Sequence, residues 1–510
     1  MGSRRSAIVD CAAARRAADL PQPLVTDRVV FGLPRRVGGA APAPAPTPLN
    51  APDVRKTTRR ETASPPRTMA APMPIKEHEV VGLLPALATA SESRKHAGMS
   101  WQRGAMTMMA EIVGTGVLGL AYAGARVGWA LAFAFLCFFG LCSLFSSLLL
   151  AAVRKEHGDV DSYMKAAGKF CGPRAERWTA HAINWNWLLV LPYFLMASAH
   201  ALSVAFWWKD GVCYYEWALL SVACVALPAQ IRSLEALSSL TAASVGAIGV
   251  VLVLTAASLI LEGREVDGEP SVWLPPPDMS VWDCFDSVSM MTFAYQGQSM
   301  LLEIADEMED PRDFGKAVKV SCGSLVGLYA CALAVGYYYR GAAVPSFLPD
   351  ALDDSPLKTL VGVLLYFHIV VTYLVNNQPL TKKVCDALWP RKGDEAAEVS
   401  ARQWAGVTGA FLAWSYLIAN LIPWFSDFQN VMGSMLGAPV MFGFPVAFYV
   451  LDPKQSSWKG SKATQAALLL VGGVVLPLTW VIGTVAAFVG LASDWSSSGG
   501  VFACQPSGYA

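Results

Sequence analysis

A chain of 510 residues with 54% hydrophobic and only 15% charged residues carries too little charge for a water-soluble protein of that length, in which about a quarter of positions are charged. The formal net charge is zero, so the total shows no bias toward nucleic acid, and no nucleic-acid partner is expected. The apolar residues gather in runs of about 20, the length that crosses about 30 Å of hydrocarbon, so the chain reads as an all-α polytopic membrane protein embedded in a lipid bilayer.

Residues 1–95 differ in kind from the remainder of the chain. They are rich in Ala, Pro and Arg, Arg4, Arg5, Arg15, Arg16, Arg35, Arg36, Arg59 and Arg60 among them, and hold no sustained apolar run. Such a segment buries too little surface to offset the entropy of ordering, and it is expected to be a disordered cytosolic tail. No apolar stretch succeeds the basic start as it does in a secretory signal. Met1-Gly2 with Ser6 fits a myristoylation pattern, and the Arg-rich, Ser-containing start also suits an organelle transit peptide; the flexible cytosolic tail is the preferred reading.

From residue 100 to 495 the sequence reads as one transmembrane domain. Apolar segments at 104–124, 128–153, 178–208, 213–230, 236–262, 283–307, 317–340, 356–388, 403–424, 427–450 and 464–492 give about 11 transmembrane helices. Basic residues gather before the first span (Arg94, Lys95, Arg103) and in the even loops, as with Arg154, Lys155, Lys165, Lys169, Arg174 and Arg177 in the second and Lys382, Lys383, Arg391 and Lys392 in the eighth. The fifth loop is acidic and proline-rich (Glu262, Glu265, Asp267, Glu269), and the seventh carries Asp350, Asp353 and Asp354. The positive-inside rule therefore places the N-terminus in the cytosol and residues 496–510 in a short extracytosolic tail. Trp129, Trp178, Trp207, Trp208 and Trp424 sit at span ends, as interfacial anchors or as packing residues. The 11 cysteines include no CxxC pair; Cys213, Cys284 and Cys504 lie near outer ends, where a disulfide among them is open.

Two spans carry interruptions. In the first, Gly114 and Gly116 bracket Thr115 near mid-membrane, and each glycine costs about 1 kcal/mol inside a helix. Within a bilayer, non-helical backbone survives only where it lines a cavity or is buried in protein. The freed N–H groups of the second half-helix then present a positive dipole end to an anion such as a carboxylate. In the sixth span, Phe293-Ala294-Tyr295-Gln296-Gly297 repeats the theme, and breaks at matching positions in spans one and six are what a 5+5 inverted repeat plus one further span produces. Close helix packing at small residues is the competing explanation. Gly114-Thr115-Gly116-Val117-Leu118-Gly119 also matches the dinucleotide pattern GxGxxG, but no strand precedes it.

These residues resemble the amino acid/auxin permease family. Ile112 to Ala123 with Gly128-Trp129 is similar to that family's opening signature, and Phe293 to Gly297 with Leu302-Glu303-Ile304, Pro311 and Phe314 to its sixth-span signature. His368, Tyr373, Gln378 and Pro379 resemble the eighth span of plant members, and Ile422-Pro423 with Asp427, Gly433-Ser434 and Pro445 the ninth and tenth. The resemblance, which runs from about 100 to 490, implies the LeuT-like fold of the amino acid–polyamine–cation superfamily and secondary active transport of amino acids. Three positions depart from the pattern: Ala121 where many members have proline, Ala110 where sodium-coupled members carry an asparagine, and Glu111 where many have a small residue. They tilt the reading from sodium toward protons.

The expected substrate site is therefore Gly114, Thr115 and Gly116, whose N–H groups meet the substrate carboxylate, with Phe293, Ala294, Tyr295, Gln296 and Gly297. Carbonyls freed near Phe293–Tyr295 meet the ammonium, and Tyr295 and Gln296 give selectivity. Glu111 sits about 11 Å into its span at about 1.5 Å per residue, a depth at which a carboxylate is usually functional. Glu111 or His368 is expected to take the coupling proton, with Thr372 as a weaker ion candidate because threonine often bonds its own helix. Glu303 is a candidate gate with Lys316 or Arg312, and Asn184, Asn186 and Tyr193 are candidate cavity residues. The function so read is proton-coupled, alternating-access transport of a neutral amino acid by a monomer without a cofactor or bound metal, in a plasma, vacuolar or lysosomal membrane. Sodium coupling, an amino-acid sensor on the same fold and an auxin-like organic-anion carrier are the alternatives. No HExxH, GxSxG or phosphate-loop motif supports an enzyme.

Overall fold

A computed structural model describes residues 99–504 apart from 210, 233, 265–270, 278, 391–398, 455–460, 498–501 and 503. The expected N-terminal tail with its targeting patterns, Glu265, Asp267 and Glu269, Arg391 and Lys392, and most of the expected C-terminal tail lie outside the described residues. Among the described residues the chain is helical, and Met99 and Met308 form an isolated bridge.

The helices are α1 (Trp101–Ile112), α2 (Leu120–Glu156), α3 (Tyr163–Cys171), α4 (Pro173–Ala205), α5 (Tyr214–Ala226), α6 (Leu234–Glu262), α7 (Val281–Ala294), α8 (Gln298–Asp306), α9 (Phe314–Arg340), α10 (Pro356–Leu388), α11 (Ala401–Leu421), α12 (Phe425–Val431), α13 (Phe444–Leu451), α14 (Lys462–Leu470) and α15 (Gly483–Ser497). Wide π turns carry α12 into α13 and α14 into α15. Local chemistry marks several starts. Ser162, Ser280, Ser355, Ser400 and Ser461 each accept a backbone N–H of the first turn of α3, α7, α10, α11 and α14. Proline opens α4 and α10, where its missing N–H costs nothing.

Seven helical stretches among the described residues are long and apolar enough to cross a membrane. Segments expected as spans one, four and six appear as shorter or interrupted helices, and α11, the segment expected as span nine, is not among the seven, so the count of eleven remains an expectation. The first two expected spans are also not separated by a loop. α2 takes up the end of the first and all of the second, and its helical geometry breaks between them at Gly128, whose φ of 77° is the left-handed conformation that favours glycine. A Cβ there would stand 2.5 Å from the Leu274 carbonyl, because the segment 271–277 lies against the kink, with Trp129 and Ala130 donating to Val272 and Trp273.

Packing divides the helices into two groups. α2 runs along α9 and α7, with α1 on α9; α10 runs along α4 and α6, with α11 and α5 on α4. Polar staples tie one end of the first group together: Arg154 of α2 pairs with Asp306 at 2.5 Å, and His157 lies 2.9 Å from Asp452. At the other end a disulfide joins Cys213 to Cys504, while Cys284 is a free thiol. Of the tryptophans at span ends, Trp178 and Trp208 are exposed as anchors would be, and Trp129 and Trp424 are buried as packing residues.

Candidate functional site

Both expected interruptions are present. α1 ends at Ile112, Val113 and Gly114 are extended, and a 3-10 turn over Thr115–Gly119 restarts the helix. The N–H groups at the head of that turn are ones the helix itself does not use. α7 ends at Ala294, and Tyr295 to Gly297 leave helical geometry before α8 begins. The two breaks touch. A Cβ on Gly116 would lie 2.9 Å from Ala294 Cα, and one on Gly297 would lie 2.5 Å from Ile112 Cγ1, so these glycines permit the contact by lacking a side chain. The dinucleotide reading of the same glycines ends here, since helix flanks the turn on both sides.

The cut ends are capped by side chains that sequence reasoning passed over. The Tyr329 hydroxyl, on α9, lies 2.7 Å from the Ala294 carbonyl and 3.3 Å from that of Ile112, spanning both breaks. Gln298 donates to Ser143 Oγ at 2.9 Å and to the Tyr295 carbonyl at 3.3 Å, and its Oε1 accepts the Gly297 N–H at 3.1 Å. The Phe293 carbonyl accepts from Gln296 N. The carbonyls of 293–295, expected to be free for an ammonium, therefore all have partners, because a buried backbone oxygen left unpaired is costly. Tyr295 also turns away from its expected selectivity role. Its hydroxyl donates to the Leu136 carbonyl of α2 at 3.1 Å, and its ring packs on Tyr329 at 5.0 Å.

Other polar groups do converge on the breaks. Gln296 donates to Asn186 Oδ1 at 3.2 Å, and its own Oε1 is buried without a partner. Gln429 of α12 donates to the Tyr193 hydroxyl at 3.0 Å and to the Thr115 carbonyl at 3.4 Å, and its Oε1 is likewise unpartnered. Two amide oxygens beside the breaks thus remain open as acceptors. An aromatic layer covers this region from one side: Tyr193 packs on Phe293 at 4.9 Å and on Phe425 at 5.4 Å, and Phe425 packs on Phe347 at 5.0 Å.

Glu111, one residue before the end of α1, is exposed. Its charged neighbour is Glu303, and the basic neighbour of Glu303 is Lys383. Lys383 also donates to Asn184 at 3.2 Å and sits over the Trp187 ring at 4.2 Å. Of the expected partners of Glu303, Lys316 pairs with Asp313 at 2.7 Å. His368 and Thr372 lie away from this line. His368 Nδ1 bridges α10 to α6, 2.9 Å from Ser244 Oγ and 3.1 Å from the Ser244 carbonyl. Thr372 donates to the His368 carbonyl of its own helix at 2.9 Å. The Thr372 hydroxyl is thus used by its own helix, whereas His368 keeps a buried Nε2 without a partner.

Residues 97–489 match the family described as transmembrane amino acid transporter protein. The N amino acid transport system protein of Neurospora crassa is 23% identical, over 76% of this chain and 84% of its own length. Amino acid permease 2 of Arabidopsis thaliana is also 23% identical, over 77% of this chain and 88% of its own. Among solved structures, the crystal structure of MhsT in complex with L-phenylalanine shares the fold at a TM-score of 0.52 and 14% identity, covering 76% of this chain and 98% of that one. The broken first and sixth spans, the LeuT-like fold and the match over most of the chain make this an integral multi-pass membrane protein, a transporter rather than an enzyme, that belongs to the transmembrane amino acid transporter protein family.

Proposed function

We propose that this chain is a monomeric, proton-coupled secondary active transporter of neutral amino acids that works by alternating access in a plasma, vacuolar or lysosomal membrane. The observation that carries the proposal is the contact of the two breaks, with the head of the 115–119 turn on one side and unpartnered amide oxygens on the other. The substrate carboxylate meets the N–H groups of Gly114 to Gly116 at a positive dipole end. Its ammonium meets Gln296 Oε1 and Gln429 Oε1 instead of the backbone carbonyls. The surrounding Tyr193, Phe293 and Phe425 suit an uncharged side chain.

A proton is favoured over sodium by the first helix. Ala110 faces a largely apolar cavity of about 360 Å³ lined by Met109, Val113, Ile248 and Leu328, whose one side-chain oxygen is the Thr255 hydroxyl, so it offers a sodium ion a single side-chain ligand rather than a set of oxygens. Glu111, exposed, with Glu303 as its charged neighbour and Lys383 as that of Glu303, provides an acid from which a proton can leave the protein. Loop charge supports a cytosolic N-terminus and an extracytosolic C-terminus. The purified chain in proteoliposomes, given a panel of radiolabelled amino acids across a pH gradient with and without sodium, tests the reading. Accumulation of a neutral amino acid is expected to follow the inward proton gradient. Accumulation that requires sodium and ignores pH would overturn the proton assignment.

A further inference from the structure

A second polar cavity, of about 200 Å³, opens between the start of α2, α7, α12 and α15, and its walls include Arg126, Asp283, Asp286, Asp427, Asn430 and Asp494. Four aspartates therefore face one arginine. That arginine is already used, in a close ion pair with Asp283 and a 3.1 Å hydrogen bond to the Tyr122 hydroxyl. Asp427 and Asp494 interact directly with each other. Two features show that the cavity is built to hold something. Asp427 is only 5% exposed with Oδ2 unpartnered, and Asn430 is only 3% exposed with Oδ1 unpartnered. The volume is well above the ~15 Å³ needed for one water, so a small hydrated cation fits.

Its position gives such a cation a consequence. Met290 forms part of the cavity wall and also reaches the 115–119 turn, with its Cε 2.6 Å from where a Cβ on Gly119 would be. Asn430 adjoins Gln429, which bonds the Thr115 carbonyl. A charge added to the cavity is therefore one residue away from the substrate cradle. The charged and titratable groups facing Asp427 are Tyr122 and Arg126 from α2, Asp283 and Asp286 from α7, and Asp494 from α15. On its other flank, α4 turns Tyr193 and His200 toward Phe425 of α12. Asp286, Asp427 and Asp494, left over beside the Arg126–Asp283 pair, repel one another where α7, α12 and α15 pack together, and a cation entering between them relieves that repulsion.

We propose that Asp286, Asp427 and Asp494, with Asn430, form a binding site for the monovalent cation whose entry closes α7, α12 and α15 over the loaded cradle. On the proton-coupled reading of the transporter, on which this inference rests, that cation is the proton, held as an O–H on one carboxyl and accepted by its neighbours; sodium is the other source of the same charge.

The test uses the full chain in proteoliposomes. Uptake of the best substrate is measured against external pH, in sodium and in choline, for the wild type, Asp427→Asn, Asp494→Asn and Asp427→Glu. Counterflow exchange without any ion gradient reports whether each variant still folds and binds. Asp427→Asn and Asp494→Asn are expected to retain counterflow, to lose gradient-driven accumulation by at least tenfold and to show a flattened pH profile, with partial rescue by Asp427→Glu. If the wild type follows sodium and the Asn variants lose that dependence, the site stands with sodium as its ion and the proton reading fails. Asn variants that accumulate substrate with the wild-type ion dependence would overturn the site itself. Loss of counterflow in both Asn variants would make the cluster structural and overturn it equally.

Discussion

The Tyr329 hydroxyl has one hydrogen to share between two cut helix ends, and both carbonyls it faces lie deep in the protein. Tyr329→Phe keeps the ring packed on Tyr295 but removes that donor, which costs about 1–3 kcal/mol for a buried acceptor left unsatisfied. The variant is expected to melt several degrees lower and to lose most uptake; wild-type melting together with wild-type uptake would show that the clamp is idle. A second residue-scale effect lies outside the spans. Burial lifts the Asp350 carboxyl from the usual range up to about 7, with Lys358 pulling the other way. A folded value above the unfolded one means that stability is full while the group is protonated and falls as pH rises from about 4 through about 7. Asp350→Asn should flatten that slope when melting temperature is followed from pH 4 to 8, and an unchanged slope would exclude Asp350 as its source. Neither residue announced itself in the sequence. Tyr329 is one aromatic in an apolar run, and nothing local says that two distant breaks cross beside it.

At the scale of elements, the breaks were legible and their caps were not. A glycine pair, or Tyr-Gln-Gly, inside a membrane-length apolar run contradicts local helix propensity, and a contradiction of that kind is visible without knowing the fold. The capping role of Gln298 and the bridge made by Gln429 depend on which helices meet, information no single segment holds. The same holds for Glu303, where charge spacing along one segment pointed to Lys316 and the fold brings Lys383 of α10 near it. The crossing also makes the glycines unequal. A Cβ on Gly116 meets Ala294 Cα at 2.9 Å, whereas nothing lies within 4 Å of one on Gly114. Gly116→Ala should therefore push α7 away from the turn, an overpacking cost of about 1–3 kcal/mol, and weaken substrate binding by tenfold or more. Gly114→Ala should lose much less. Equal losses in a binding assay on the two purified variants would show that the contact between the breaks does not set affinity.

Across the whole molecule, the fold class was readable from run length and the two breaks, while the sidedness of the chain rests on loop charge and now on one covalent link. Cys213 begins α5 and Cys504 lies beyond α15, and the bond between them spans 291 residues. Disulfides persist in oxidising compartments, which agrees with the extracytosolic side that loop charge assigns to both residues. The aromatic layer of Tyr193, Phe425 and Phe347 lies toward that same side on this assignment, and Glu111 on α1 lies toward the cytosol. Closing so long a loop stabilises a fold by about 2–4 kcal/mol in typical cases, so Cys213→Ser should lower the melting temperature by several degrees in non-reducing buffer and not in reducing buffer. Sidedness can be read from the same bond. In sealed right-side-out vesicles, a membrane-impermeant reductant and then an impermeant maleimide should label Cys213 and Cys504, identified by peptide mapping. Labelling that appears only after the vesicles are opened would place the disulfide on the cytosolic side and reverse the assigned orientation, moving Glu111 toward the outer face.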